Sequence, residues 1–144
     1  NKIVIGSDHG GFELKQHLIS VLEKKGITVV DAGCPNEESV DYPEYGHKVA
    51  KLVASGEIEA GILICGTGIG ISIAANRVLG ARASLCHNTE YAELTRLHND
   101  SNILALGGRF NTFASAEAIL QTWLSTEYEG GRHQRRVELI DELV

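Results

Sequence analysis

Residues 61–77, GILICGTGIGISIAANR, constrain the fold of this chain more than any other stretch. An apolar run ends in Cys65, glycines follow at positions 66, 68 and 70, and a helix-like sequence carries on to Arg77. Ile62, Leu63 and Ile64 are too few to cross a membrane and too uniformly apolar for a strand with one wet face, so they predict a central strand of a parallel sheet. Cys65 then stands at that strand's carboxyl end. Open parallel sheets bind ligands at this edge, because the loops converge there and the next helix starts with unpaired N–H groups. The stretch therefore predicts a strand, an anion-cradling loop and the first turns of a helix, with a thiol beside the anion site.

The rest of the chain repeats this alternation. Residues 2–6, KIVIG, predict a first strand, and after SDHGG the apolar positions Leu14, Leu18, Val21 and Leu22 keep helical spacing. Ser7 or Asp8 is placed to start that helix and Gly26 to end it. Residues 27–31 predict a second strand, followed by a long polar loop that holds both prolines. Pro43 is placed to open a helix whose buried stripe is Val49, Ala50, Val53 and Ala54. Beyond the glycine loop the sequence predicts a strand at 82–86, a helix at 89–97, a strand at 102–106 and a helix at 115–124. Alternating strands and helices mean a parallel α/β sheet, here of five strands. The tail 130–144 begins at a glycine pair and predicts a terminal helix at about 131–144, carrying Val137, Leu139, Ile140, Leu143 and Val144. A terminal amphipathic helix of this kind often packs on a second subunit.

With 144 residues, the whole chain 1–144 is expected to make one domain around one proper core. A formal net charge of -6 argues against a nucleic-acid or membrane-surface binder, so any anionic ligand has to be caught by local arginines. Cys34, Cys65 and Cys86 are odd in number and show no CxxC spacing, which points to a reducing, cytoplasmic setting. The short run 2–6 meets polar Ser7, Asp8 and His9 at once, so no signal peptide is expected.

A glycine loop alone is a weak signal, but several of its known uses are excluded. A dinucleotide fingerprint needs glycine at position 71, which is isoleucine. A P-loop needs a lysine, and none follows Lys51. A thiol-phosphatase loop needs arginine six positions after the cysteine, where Ile71 stands again. What remains is a set of backbone N–H groups offered to a developing oxyanion beside a thiol and a hydroxyl, the equipment for stabilising an enediolate. A helix N-terminus favours a thiolate, so Cys65 is a candidate base, although a free cysteine taken by itself reads first as a packed strand-end residue. Thr67 by itself reads as a cap.

His17, His47 and His87 read as surface or capping residues. His9 differs, since it follows Asp8 at the carboxyl end of the first strand, on the same sheet edge as Cys65. His98, in LHNDSN, is either part of a helix C-cap or a polar ligand clamp. Asp8, His9, Cys65 and His98 form no close-spaced ligand pair, so no metal is expected. Arg132 and Arg136 are one helical turn apart, and Arg109 follows Gly107 and Gly108, a setting that suits guanidinium groups for a phosphate as well as it suits a solvated face. Arg135 reads as surface.

Taken in order, GSDHGG at 6–11, SVDYP at 39–43, GILICGTGIGISIAANR at 61–77, RLHNDSNILALGGR at 96–109 and YEGGRHQRRV at 128–137 resemble the B-type ribose-5-phosphate isomerases. That family also holds isomerases of allose and galactose 6-phosphates. The resemblance covers nearly the whole chain. It implies a three-layer α/β/α Rossmann-like domain, usually a homodimer or dimer of dimers with sites shared between subunits, working without metal or cofactor. In it Cys65 takes the C2 proton of the open-chain aldose to give a cis-enediolate and returns a proton at C1. Thr67 and His98 assist ring opening, and the run 66–72, with Gly66, Gly68, Gly70 and Ser72, holds the enediolate. Asp8 and His9 correspond to the polar pair near the sugar hydroxyls and phosphate, Tyr42 and Asn99 to pocket contacts, and Arg109, Arg132 and Arg136 to phosphate ligands. His98, Asn99 and Arg109 are implied to come from the neighbouring subunit. One branch of the family takes its base from a glutamate instead; with Cys65 present and no acid at 69–77, this chain resembles the cysteine branch. The implied activity interconverts ribose 5-phosphate and ribulose 5-phosphate. A six-carbon aldose phosphate as substrate and a non-catalytic sugar-phosphate binding module are the alternatives.

Overall fold

The apolar runs become one five-stranded sheet in the computed structural model, which describes residues 1–142. In chain order the elements are β1 (Lys2–Ser7), α1 (Phe12–Lys24), β2 (Thr28–Asp31), α2 (Tyr42–Ala54), β3 (Ala60–Cys65), α3 (Ile69–Ala75), β4 (Ala83–Leu85), α4 (Thr89–Asn99), β5 (Ile103–Gly107), α5 (Phe113–Ser125) and α6 (Gln134–Ile140). The strand order is β2-β1-β3-β5-β4 and every pairing is parallel. Side chains alternate across the sheet. Ile62 and Ile64 of β3 face a core built with α1, α4 and α5, whereas Leu63 and Cys65 face the layer of α2 and α3. Helices thus cover both faces, as parallel strands require.

The sequence-based elements differ from the structure mainly at their ends. The first glycine pair forms a short 3-10 turn, His9–Gly11, before α1, and Asp8 caps that turn by accepting the Gly10 N–H at Oδ1, 2.9 Å. α5 starts at Phe113, earlier than the apolar spacing predicts, because the Thr112 hydroxyl accepts the Ser115 N–H at 3.0 Å. The terminal helix is shorter than expected: a 3-10 turn, Gly131–His133, leads into α6. Leu143 and Val144, assigned to that helix from sequence, lie outside the described residues. No residue of α6 is buried, and Leu139 and Ile140 stay about half exposed. The apolar pattern also gives no hint of Lys15, which is fully buried in α1 with Nζ 2.9 Å from both Asp31 carboxylate oxygens, tying α1 to the end of β2.

The loops leaving β1, β3 and β5 touch backbone to backbone. The Asp8 N–H donates to the Ile64 carbonyl, the Gly108 N–H to the Cys65 carbonyl and the Arg109 N–H to the Gly66 carbonyl, at 3.1, 2.8 and 3.0 Å. A Cβ on Gly108 would lie 2.5 Å from the Gly10 carbonyl oxygen, and one on Gly10 would lie 3.1 Å from the Gly66 nitrogen. Gly68 adds a left-handed turn, φ +80, with no room for a side chain against Leu85 and the Leu106 carbonyl. Gly108→Ala should therefore lower stability by about 3 kcal/mol, through a clash that only backbone movement relieves. Gly26→Ala, where the residue has φ +80 but nothing within 4 Å, should cost roughly 1 kcal/mol. Urea denaturation midpoints measure both, and equal shifts would contradict the close-contact argument.

Candidate functional site

Three loops bring most of the sequence-derived candidates to one edge of the sheet. From the β1 loop come Asp8, buried and held by its cap bond, and His9, whose Nδ1 accepts the Val40 N–H at 3.1 Å. An accepting Nδ1 leaves the proton on Nε2, so this ring presents a donor. From β3 comes Cys65, 5% exposed, with its Sγ accepting the Gly68 N–H at 3.1 Å. That backbone donor fixes the sulfur at the head of α3. Thr67 sits on the same loop with Oγ1 accepting the Ile69 N–H, 3.1 Å, one residue ahead of the Gly68 N-cap, and its own hydroxyl proton is left for another acceptor. Tyr42, at the start of α2, lies over Gly70, where a Cβ would be 2.7 Å from its ring. Arg109 follows β5, and its guanidinium lies 3.3 Å from where a Cβ on Gly66 would stand. A cavity of about 270 Å³ opens beside these groups between His9, Gly10, Glu13, Gly108, Arg109 and Phe113.

The glycine loop is more selective than its sequence suggests. Within 66–72 the Gly68 N–H is committed to Cys65, the Ile69 N–H to Thr67 and the Ser72 N–H to the Gly68 carbonyl. The Ser72 hydroxyl donates to the Ile69 carbonyl at 2.7 Å. Among the described residues the amides of Gly66, Thr67, Gly70 and Ile71 carry no such bond; Ile71 is fully buried, and the part-exposed Gly66, Thr67 and Gly70 are the three open to an oxyanion. Gly68 and Ser72, expected from sequence to contact the ligand, instead support the thiol and the helix.

The remaining candidates gather elsewhere. His98 and Asn99 are the last residues of α4, which leads into the amino end of β5, so they lie at the sheet edge opposite Cys65. Five strand residues at ~3.3 Å each separate the two edges. Arg132 and Arg136 belong to this second group. Arg136 Nη1 donates to the Arg132 carbonyl at 3.3 Å, the Glu129 N–H donates to the Leu97 carbonyl at 3.2 Å, and the His98 and His133 rings stack at 4.4 Å. Asn99 also lines a surface cavity of about 650 Å³ with Arg77, Arg82, Asp141 and neighbours, a lining that does not include Cys65. Arg109 corrects the expectation drawn from the resemblance: it stands with Cys65 of its own chain rather than with His98 and Asn99, because the β5 loop is hydrogen-bonded directly to the β3 loop.

Sequence reasoning missed several participants. His87 and the exposed Phe110 line an opening with Thr67 and Ile69. His133 is buried against His98, and its Nε2 lies 3.5 Å from Glu129 Oε1. A histidine between arginines in a basic tail gives no sign of burial. His98, Glu129 and His133 place donor atoms within 4.8 Å of one another, but nearly parallel rings, 19° apart, aim their nitrogen lone pairs side by side rather than at one point. Cys86, buried in the opposite core, has its thiol pushed up to about 11 by burial.

The same architecture recurs in characterised proteins. The family model described as Ribose/Galactose Isomerase matches residues 3–140. The chain is 50% identical to ribose-5-phosphate isomerase B of Escherichia coli K12 over 139 residues, covering 96% of this chain and 93% of that protein. It superposes on a ribose-5-phosphate isomerase B from Clostridium thermocellum with a TM-score of 0.97 at 54% identity, covering 99% of this chain and 96% of that one. It superposes on the Mycoplasma genitalium enzyme with bound ribulose-5-phosphate at a TM-score of 0.94 and 40% identity, covering 98% and 94%. With its thiol, its free amides and its strand order, this chain belongs to the ribose/galactose isomerase family.

Proposed function

We propose that this chain interconverts ribose 5-phosphate and ribulose 5-phosphate, with Cys65 as the base. The observation that carries this reading is a thiol at the carboxyl end of β3, held by the Gly68 N–H and flanked by unbonded amides, in a chain half identical to an enzyme of that name. The furanose first opens: the O1 hydroxyl gives up its proton, the ring oxygen gains one, the C1–O4 bond breaks and C1 becomes an aldehyde. Cys65 thiolate then takes the C2 proton, the C–H electron pair forms the C1–C2 double bond, and the carbonyl pair moves onto O1. The amides of Gly66, Thr67 and Gly70 stabilise that oxyanion. A proton passes from O2 to O1, the thiol returns its proton to C1, and the ketose results. Only protons move, so the reaction calls for no redox cofactor.

In this reading Asp8, His9 and Tyr42 orient the sugar, Thr67 and His98 assist ring opening, Asn99 contacts the substrate, and Arg109, Arg132 and Arg136 hold the phosphate. His98, Asn99, Arg132 and Arg136 come from a second copy of the chain, which makes the working unit a homodimer. Support comes from their place at the opposite sheet edge and from the exposure of Ile69, Ile73, Leu79, Tyr91, Leu94 and Phe110. Three free, buried cysteines suit a reducing, cytoplasmic setting.

In deuterated water the protein should exchange the reacting proton of ribose 5-phosphate with solvent. Cys65→Ala should lower the exchange by a factor of about 10²–10⁴ while the protein stays folded, and exchange that persists in the variant rejects Cys65 as the base. Mixing inactive Cys65→Ala with inactive His98→Ala after dissociation and reassociation should restore about a quarter of wild-type activity, since half of random dimers then carry one intact site. A mixture that stays inactive excludes sharing. Iodoacetamide at pH 8 should alkylate Cys65 with loss of activity before Cys86 reacts. A thiol raised to about 11 is ionised in only about one molecule in 10³ at that pH. Peptide mass mapping reads the order of modification.

A further inference from the structure

Four observations meet at His98. It stands in the last turn of α4, one residue before Asn99 and the left-handed Asp100, φ 48, where the helix ends. A terminal imidazole torsion is broad, and a ring that turns over exchanges nitrogen for carbon at the position facing the ligand. The His133 ring lies on it at 4.4 Å and 19°, and His133 is itself nine-tenths buried. His133 Nε2 finds no hydrogen-bond partner among the described residues, with the Glu129 carboxylate near it at 3.5 Å. The segment that carries His133 is fastened to α4, through Glu129 N–H to the Leu97 carbonyl and Arg96 Nε to the Thr126 carbonyl at 3.1 Å. A buried imidazole whose nitrogen contributes no hydrogen bond to the fold acts here through its face.

We propose that His133 is a positioning residue for His98, its stacked ring holding the His98 imidazole in the plane from which it opens the sugar ring. The inference rests on the ring-opening role given to His98 above. It separates two readouts. Ribose 5-phosphate enters as a furanose and needs opening, whereas ribulose 5-phosphate, with its C5 oxygen esterified, cannot form that ring and exchanges its C1 proton through the enediolate alone.

The test compares ribose 5-phosphate turnover with solvent exchange at C1 of ribulose 5-phosphate, both on the assembled protein. His133→Ala should lower the first on the order of tenfold to a hundredfold more than the second, because a misaligned acid-base group costs that much. His133→Phe keeps an aromatic face and should recover most of the difference. His98→Ala must show the same split; if it lowers neither, or both alike, the role given to His98 fails. If His98→Ala splits the readouts while His133→Ala lowers both equally or neither, the positioning role is overturned. Should the alanine variant not fold, His133→Leu against His133→Phe decides: a split in leucine and not in phenylalanine supports the proposal, and equal behaviour sinks it.

Discussion

The structure depends on one close approach, that of the loops leaving β1, β3 and β5. Gly10, Gly66 and Gly108 touch through backbone atoms, and three loop hydrogen bonds extend the sheet ladder past the last paired residues. A side chain larger than hydrogen at Gly10 or Gly108 would push these loops apart. The candidate groups that ride on them, Asp8, Cys65 and Arg109, are therefore set by the main chain rather than by the packing of their own side chains. Preorganisation of this kind matters most for a reaction in which a proton moves over a short distance and the charge it leaves must meet donors already in place. The commitment of the Gly68 amide to Cys65 extends the same economy, since one loop both holds the thiol and leaves its neighbouring amides free.

Much of the fold is legible in the sequence because parallel strands buried on both faces are nearly pure apolar runs, as at Ile3, Val4 and Ile5 or Ile62, Leu63 and Ile64. Element ends are less legible, since they rest on single capping bonds such as that of Thr112. The order β2-β1-β3-β5-β4 has no local signal, and Lys15 hides because a lysine on a helix reads as solvent-facing until Asp31 is brought beside it. The first candidate site is legible for a related reason: residues just after an apolar run fall on the binding edge, and Asp8, His9, Cys65, Thr67 and Arg109 all do. What the sequence does not reveal is which loop faces which. Arg109 stands against Gly66 of its own chain because β5 pairs with β3, a long-range fact.

The second cluster shows where local reasoning stops. His98 and Asn99 can be read as a cap, and α4 does end there, with Asp100 in the left-handed position that closes many helices. His133 carries no periodic signature at all, because its burial depends on the turn at Gly130 and Gly131, both in left-handed conformations, folding the tail back onto α4. Local pattern fixes what a residue can do for its own helix; contacts with distant parts of the chain, such as His98 with His133, fix what surrounds it in the fold.

The separation of the two clusters argues for the shared site more strongly than either cluster alone. Groups at opposite edges of a sheet are held apart by the strands between them, and no hinge in a packed three-layer domain folds one edge onto the other. A five-carbon sugar phosphate is too short to touch both. If both clusters serve one substrate, the second edge must belong to another molecule, and the surface between must exclude water. The half-exposed Ile69 beside the amides and the exposed Phe110 beside Arg109 are the side chains placed to do so. Apolar groups at the rim of a cluster of charges cost solubility in a lone chain and gain meaning if a partner's face covers them, since such a covering would dry the thiol and strengthen any hydrogen bond made to an oxyanion beside it.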